Sequence, residues 1–289
     1  MIIIRIFTDH HPNGSDTTHI YLKNSDIASD PDYNKKYRFT NGNDYTHVFL
    51  INCPTPNISH IPKRNVVGLA FEPCQFLNTF EQKPILEKLK NFIPYAQKYI
   101  GKYYIGDKHN LPEPFFEGYG YINPTCFVKE VSKTKLMSIM ISNKVFSPGH
   151  KYRHMLVKEI IKNNLNVDIY GRGCKYYKFR DERLKGEFIS SEPYDDYFFH
   201  IAIENFQTNH YFSEKVINPL FRKTVPVYLG CKNIDSYLPN VTIKLNGNIE
   251  HDIQVIKDIC QNPSKFKINI DTDKIKETVS IKNIIKTFI

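Results

Sequence analysis

Short apolar runs of strand length alternate along this chain with stretches of helical spacing, and polar residues gather where the two meet. The densest junction begins at Glu204 and reads Glu204-Asn205-Phe206-Gln207-Thr208-Asn209-His210-Tyr211-Phe212-Ser213-Glu214-Lys215. It continues through Val216 to Lys223 and closes with Thr224-Val225-Pro226-Val227-Tyr228-Leu229-Gly230. Such alternation predicts an α/β fold with parallel sheets layered by helices. An open sheet of this kind builds its ligand site just beyond the strand ends. The chain carries a net charge of +9, which favours anionic partners, and a nucleotide diphosphate fits a polar cluster at a sheet edge.

The strand candidates are Met1 to Phe7, His47 to Asn52 and Val66 to Phe71, the last ending at Glu72-Pro73. Pro84 to Asn91 has helical character. The stretch from Gly106 to Pro124, rich in Gly, Pro and aromatic residues, reads as irregular loop. A second unit starts near Lys135. Leu136 to Ile141 is a strand followed by Ser142-Asn143, and Tyr152 to Leu165 has apolar residues at helical spacing. Further strands are expected at Asn166–Gly171, Phe198–Ile203, Val225–Gly230 and Val241–Leu245. Ser213 is placed to cap the helix after it, and Ile275 to Ile289 closes the chain in helical period. The expected division is an N-terminal α/β domain over 1–130 and a C-terminal α/β domain over 131–289. The last helix is a candidate to pack back on the first domain.

Several classes are disfavoured. With 289 residues, 41% of them hydrophobic, a sizeable core is available to one large or two modest domains. No apolar run reaches eighteen residues, so no transmembrane helix is expected. Arg5 interrupts the N-terminal run too early for a signal peptide. Cys53, Cys74, Cys126, Cys174, Cys231 and Cys260 are scattered without a CxxC pair, which favours reduced thiols over a disulfide framework or a zinc site. The expectation is a cytoplasmic protein. Neither GxGxxG nor GxxxxGK[ST] occurs, which argues against NAD and P-loop chemistry.

The ordered elements Glu204-Asn205, Tyr211-Phe212-Ser213-Glu214-Lys215 and Val225-Pro226-Val227-Tyr228-Leu229-Gly230 resemble the signature of the α-1,3/4-fucosyltransferases, glycosyltransferase family ten. Upstream, Ser142-Asn143, Arg153 and Val167-Asp168-Ile169-Tyr170-Gly171 are similar to further elements of that family, as are Phe71-Glu72-Pro73 and Tyr119-Gly120-Tyr121. The resemblance is specific from Ser142 to Gly230, thinner from Phe71 to Tyr121 and absent before Val66. The chain departs from the pattern at Phe206, at Ser213 in place of threonine and at Pro219 inside a helix, and it has no tryptophan. The resemblance implies a GT-B fold, two Rossmann-like domains facing a central cleft, and inverting transfer of L-fucose from GDP-fucose to a glycan hydroxyl, as in protein glycosylation.

That chemistry makes two demands. The acceptor hydroxyl must lose a proton, and the departing diphosphate gains charge that cations or oriented donors must stabilise. Glu72, at the end of an apolar run, is the candidate base; burial would raise its pKa toward neutrality. Its alternative role is a loop carboxylate capping a turn before Pro73. Lys215, in the first turn of a helix whose free N–H groups also attract anions, and Arg153, able to grip phosphate bidentately, are candidates for the diphosphate. Each could instead be an exposed helix charge. Glu214 could accept from ribose hydroxyls or simply favour the helix dipole. Asn205 and Tyr211 are donor contacts by resemblance; otherwise they read as a capping Asn and a half-buried core Tyr.

No metal or cofactor is required beyond the donor substrate; a divalent cation could stimulate without being held by the protein. Asp271-Thr272-Asp273 lies after the donor motif, where Asp273 reads as a helix cap. Asp195-Asp196 reads as solvated, and Asp9-His10-His11 more readily as loop than as ligand. The expected partners are a nucleotide sugar and a glycan, without nucleic acid. Three alternatives stay open: a transferase using another nucleotide-deoxyhexose, a basic nucleic-acid-binding protein stacking bases on some of its nineteen tyrosines, and a sugar-binding module that has lost transfer.

Overall fold

The structure, a computed structural model, describes residues 1–9, 36–77, 84–118 and 128–280. It divides into two compact units. The first comprises Met1–Asn123, Thr208–Tyr211 and Glu277–Ile289, and the second Pro124–Gln207 and Phe212–Lys276.

The first unit is built on β1 (Ile2–Thr8), β2 (Tyr37–Phe39), β3 (His47–Ile51), β4 (Val66–Leu69), β5 (Lys102–Ile105) and β6 (Phe115–Glu117). They form one parallel sheet in the order β2-β1-β3-β4-β5-β6. Alternate residues of the apolar runs go to opposite faces. Val48, Leu50 and Val66 join Leu89, Phe92 and Ala96 on one side, whereas Ile4, Ile6, Phe49, Ile51, Val67 and Leu69 cluster on the other. Leu89 lies between two short helices, α1 (Ile85–Lys88) and α2 (Phe92–Tyr99). The strand order reverses between β1 and β3, the position beyond which open α/β sheets typically place a crevice.

The second unit contains β7 (Lys135–Met140), β8 (Asp168–Tyr170), β9 (Leu184–Gly186), β10 (Tyr197–Ile203), β11 (Val225–Leu229) and β12 (Ile243–Lys244). These are again all parallel, in the order β12-β11-β10-β7-β8-β9. Its helices are α3 (Pro148–Lys162), α4 (Glu192–Asp195), α5 (Glu214–Phe221) and α6 (Ile249–Gln261); α7 (Thr272–Thr278) comes after them. The central strand β10 is buried on both faces except at Phe198, as expected of a parallel sheet covered on each side. The order reverses between β7 and β10, the arrangement of dinucleotide-binding folds.

Several local expectations are corrected. Pro84 to Asn91 is not one helix; the chain turns at Leu89 and restarts at Phe92. The stretch after Gly106 is not wholly irregular, because β6 pairs with β5 there. Helix α3 begins ahead of Tyr152, because Ser147 and His150 form a reciprocal capping box and Pro148 occupies the first turn. The Asp271 carboxylate, not that of Asp273, caps α7, accepting from the N–H groups of Asp273 and Lys274. Asp195 is not free in solvent, since it accepts from Ser191 Oγ at 2.8 Å and faces Arg222 at 3.2 Å. Tyr119-Gly120-Tyr121, His10 and His11 lie outside the described residues, as does the end of the expected last helix.

Candidate functional site

Residues from several separate segments converge at the C-terminal ends of β7, β8 and β10, on the strand-order reversal of the second unit. Ser142, Arg153, Arg172, His200, Glu214 and Lys215, with Met140, Ile141 and Ile203, line a cavity of about 310 Å³. The chain enters this arrangement along β10. Its last backbone donor is Glu204 N–H, bonded to Leu229 O at 2.8 Å, so Glu204 is still held by the sheet while its side chain leaves the strand end.

Glu204 organises the start of α5. Its carboxylate is buried and accepts from Ser213 N at 2.9 Å and from Ser213 Oγ at 2.8 and 3.0 Å. Ser213 Oγ in turn accepts from Lys215 N at 3.3 Å, closing the N-terminus of α5. The ammonium of Lys215 stands 3.6 Å from Glu204 and 3.1 Å from Glu214, and it donates to Ser213 Oγ at 3.1 Å. Burial pushes the Glu204 carboxyl above the usual carboxylate range, against the pull of Lys215. For Lys215 burial acts downward, but the two carboxylates outweigh it and hold the ammonium above the ordinary lysine value. Lys215 is therefore charged, with two counter-ions already beside it.

Two glycines make this packing possible. A Cβ on Gly230 would stand 2.4 Å from Glu204 Cγ, and one on Gly149 would stand 1.9 Å from Glu204 O. Thus the glycine ending Val-Pro-Val-Tyr-Leu-Gly leaves room for the glutamate that begins the motif. Gly149 brings the first turn of α3 onto the strand end, where its N–H bonds Asn205 O at 3.0 Å. From the same helix Arg153, also buried, donates from Nε and Nη2 to Ile203 O at 3.1 and 2.8 Å, and from Nη2 to Asn205 Oδ1 at 2.7 Å. One edge of the guanidinium expected to grip phosphate, Nε–Nη2, is thus engaged with the backbone. What Arg153 brings to the cavity is charge and a fixed Asn205.

Arg153, Asn205, Glu214 and Lys215 are brought together in the second unit. Tyr211, half-buried, belongs to the first unit with the rest of Thr208–Tyr211. Glu72 also lies in the first unit, in the bend after β4, with its N–H bonded to Asn52 Oδ1 at 3.2 Å. Sequence reasoning missed Glu204 as a participant, although it heads the motif. It also missed Arg172, the residue after Gly171. That glycine has φ 106°, and a Cβ there would stand 2.2 Å from Ile141 O, so the glycine of the Val-Asp-Ile-Tyr-Gly element marked a close approach. Arg172 pairs with Glu187 at 3.4 Å. Among the described residues no group of three or more His, Cys, Asp or Glu side chains is placed to hold a metal ion. Nor is any described helix long and apolar enough to cross a membrane.

Beside the cavity His200 is buried. Its Nδ1 lies 2.8 Å from Ser138 Oγ, and the Tyr194 ring meets it edge-on at 4.8 Å. Burial pushes its pKa from the ordinary 6.5 down to about 3. Below pH about 6.5 the unfolded chain takes up a proton that the native state refuses until near pH 3. Stability should therefore fall as pH drops, by about 1.4 kcal/mol per pH unit from this residue. Denaturation curves at pH 7 and pH 5 check this: His200→Asn should flatten the acid side of the stability profile, and an unchanged slope would contradict the assignment.

The layered parallel sheets with a charged cavity at the reversal point are features of the GT-B fold. Residues 130–247 match the family model described as glycosyltransferase family 10 (fucosyltransferase), C-terminal. A protein of Acanthamoeba polyphaga mimivirus named as a fucosyltransferase is 28% identical over 187 residues, covering 58% of this chain and 30% of the relative. The chain thus spans under a third of that relative's length. Among solved structures, an α1,3-fucosyltransferase with GDP superposes with a TM-score of 0.57 at 14% identity, covering 99% of this chain and 88% of the other. An α-glucosyltransferase with UDP and DNA gives 0.56 at 11% identity, covering 99% of both. These two likenesses establish the fold.

Proposed function

We propose that this chain transfers L-fucose from GDP-fucose, with inversion, to a hydroxyl of a glycan acceptor. The observation that carries the reading is the convergence of Arg153, Glu214 and Lys215 on one cavity at the strand-order reversal, with Asn205 held by Arg153. In this reading the fucose carbon loses its bond to the diphosphate as the acceptor oxygen attacks from the opposite face. Lys215 and the charge of Arg153 stabilise the negative charge that builds on the departing phosphate oxygens. Glu214 accepts from the ribose hydroxyls, and Tyr211 and Asn205 orient the donor. Glu72 takes the proton of the attacking hydroxyl; its place at the C-terminal edge of β4, with its backbone fixed by Asn52, supports that role. No protein-bound metal is needed, because the cations that neutralise the leaving group belong to the chain.

A thermal-shift panel of nucleotide sugars tests the donor, since a ligand that binds only the folded state raises its stability. GDP and GDP-fucose should raise the melting temperature; a shift from another nucleotide-deoxyhexose alone would replace fucose in the reading. A shift from oligonucleotides but from no nucleotide sugar would favour nucleic-acid binding instead. For the base, Glu72→Ala should retain the GDP shift and lose about a hundredfold in turnover. Transfer at the wild-type rate in that variant would remove Glu72 from the mechanism.

A further inference from the structure

We propose that Asn52 is a positioning residue for Glu72, an inference that rests on reading Glu72 as the base. Asn52 comes directly after β3 at the reversal point of the first sheet, buried, with φ 61°. Its Oδ1 accepts two consecutive backbone donors, Phe71 N at 2.9 Å and Glu72 N at 3.2 Å. Its own N–H donates to Leu69 O at 2.8 Å, and its carbonyl accepts from Tyr103 Oη at 2.7 Å. One residue thus holds the end of β4 at Leu69 and the bend beyond it at Phe71 and Glu72.

The anchor is itself held from both sides. The next residue, Cys53, donates its N–H to Asp9 Oδ2 at 3.1 Å, tying the chain after β3 to the end of β1. Tyr103 is fully buried, and its ring fills the space where Gly68 would otherwise carry a Cβ, 2.3 Å from Cδ2. The hydroxyl that holds Asn52 is therefore fixed by the core. Few residue types meet these demands. The left-handed backbone favours Gly, Asn or Asp. Glycine offers no side-chain acceptor. Aspartate offers one, but it adds a negative charge beside Glu72, which disfavours the ionised base and raises its pKa. Asparagine alone among the three supplies the conformation and a neutral acceptor.

The test compares Asn52→Gly, Asn52→Asp and Glu72→Ala in the full chain, with GDP binding and pH–rate profiles measured for each. Asn52→Gly keeps the backbone conformation without the acceptor and should lower kcat about tenfold through a misplaced base, with GDP affinity unchanged. Asn52→Asp keeps the acceptor and should recover turnover at high pH, while the acid limb of its kcat/KM profile moves up by about one pH unit. A residue that merely supports the fold would leave that limb in place. If Glu72→Ala abolishes transfer while the acid limb of Asn52→Asp coincides with wild type, the positioning role is overturned and the base remains. If Glu72→Ala retains full transfer, the base assignment itself fails and the positioning role falls with it. Should Asn52→Gly not fold, the position of the Asn52→Asp limb still decides.

Discussion

Replacing Lys215 by alanine is expected to lower GDP affinity about a hundredfold and to destabilise the chain by about 3 kcal/mol. An ordinary surface lysine would change stability by no more than about 0.5 kcal/mol, so the size of the effect separates the two roles. The affinity loss comes from removing an ammonium held at the cavity by Ser213, Glu214 and Glu204. The stability loss arises because Glu204 stays buried without its cation. Its carboxyl, already raised by burial, then rises further. A carboxyl whose folded pKa exceeds its unfolded value stabilises at low pH, and that contribution is lost as pH rises. Lys215→Ala should therefore lie closer to wild type at pH 5 than at pH 8. Calorimetry with GDP and denaturation at both pH values provide the check; wild-type affinity would eliminate Lys215 as a diphosphate contact.

Gly149→Ala should destabilise the second unit by about 2–3 kcal/mol although alanine is the better helix former. Inside α3 the exchange would ordinarily favour the variant by about 1 kcal/mol, and less at a position so near the helix start. Against that, the new Cβ would stand 1.9 Å from Glu204 O and 2.9 Å from Asn205 Cα. These are backbone atoms of the sheet end, so no side-chain rotation relieves the overlap. The helix must lift, which weakens the Gly149 N–H to Asn205 O bond and the hold of Arg153 on Ile203 and Asn205. GDP affinity should fall along with stability, although Gly149 is outside the cavity lining. Equal or greater stability in a denaturation series would show that the first turn of α3 can move without cost.

The central strands were legible because their residues are apolar on both faces: Val48-Phe49-Leu50-Ile51, Leu136 to Ile141 and Val225 to Leu229 leave few other ways to be buried. The strands that escaped notice are short: β2, β6 and β9 have three residues each, too few for a period, and each ends its sheet. Helix α6 was overlooked for a different reason. Ile253, Ile256 and Ile259 carry a buried helical stripe, a signal available in the sequence but diluted by polar neighbours. Asp271 and Asp273 are equally good caps by type, and only the backbone path selects Asp271.

The candidate site divides in the same way. Residue types and their order along the chain determined that a cluster of charged and polar residues sits where strands give way to helices, and that Ser213 starts a helix carrying Glu214 and Lys215. Tertiary structure alone decided that Glu204 is buried against Ser213 and Lys215, that one edge of Arg153 is committed to Ile203, that Gly149 and Gly230 make room for Glu204, and that Asn52 holds Glu72. The physical reason is range. Capping and periodicity act between near neighbours and leave their mark on local composition. Desolvation, close backbone approach and shared hydrogen-bond acceptors depend on partners distant in the chain, as with Asn52 and Glu72 or Gly149 and Glu204.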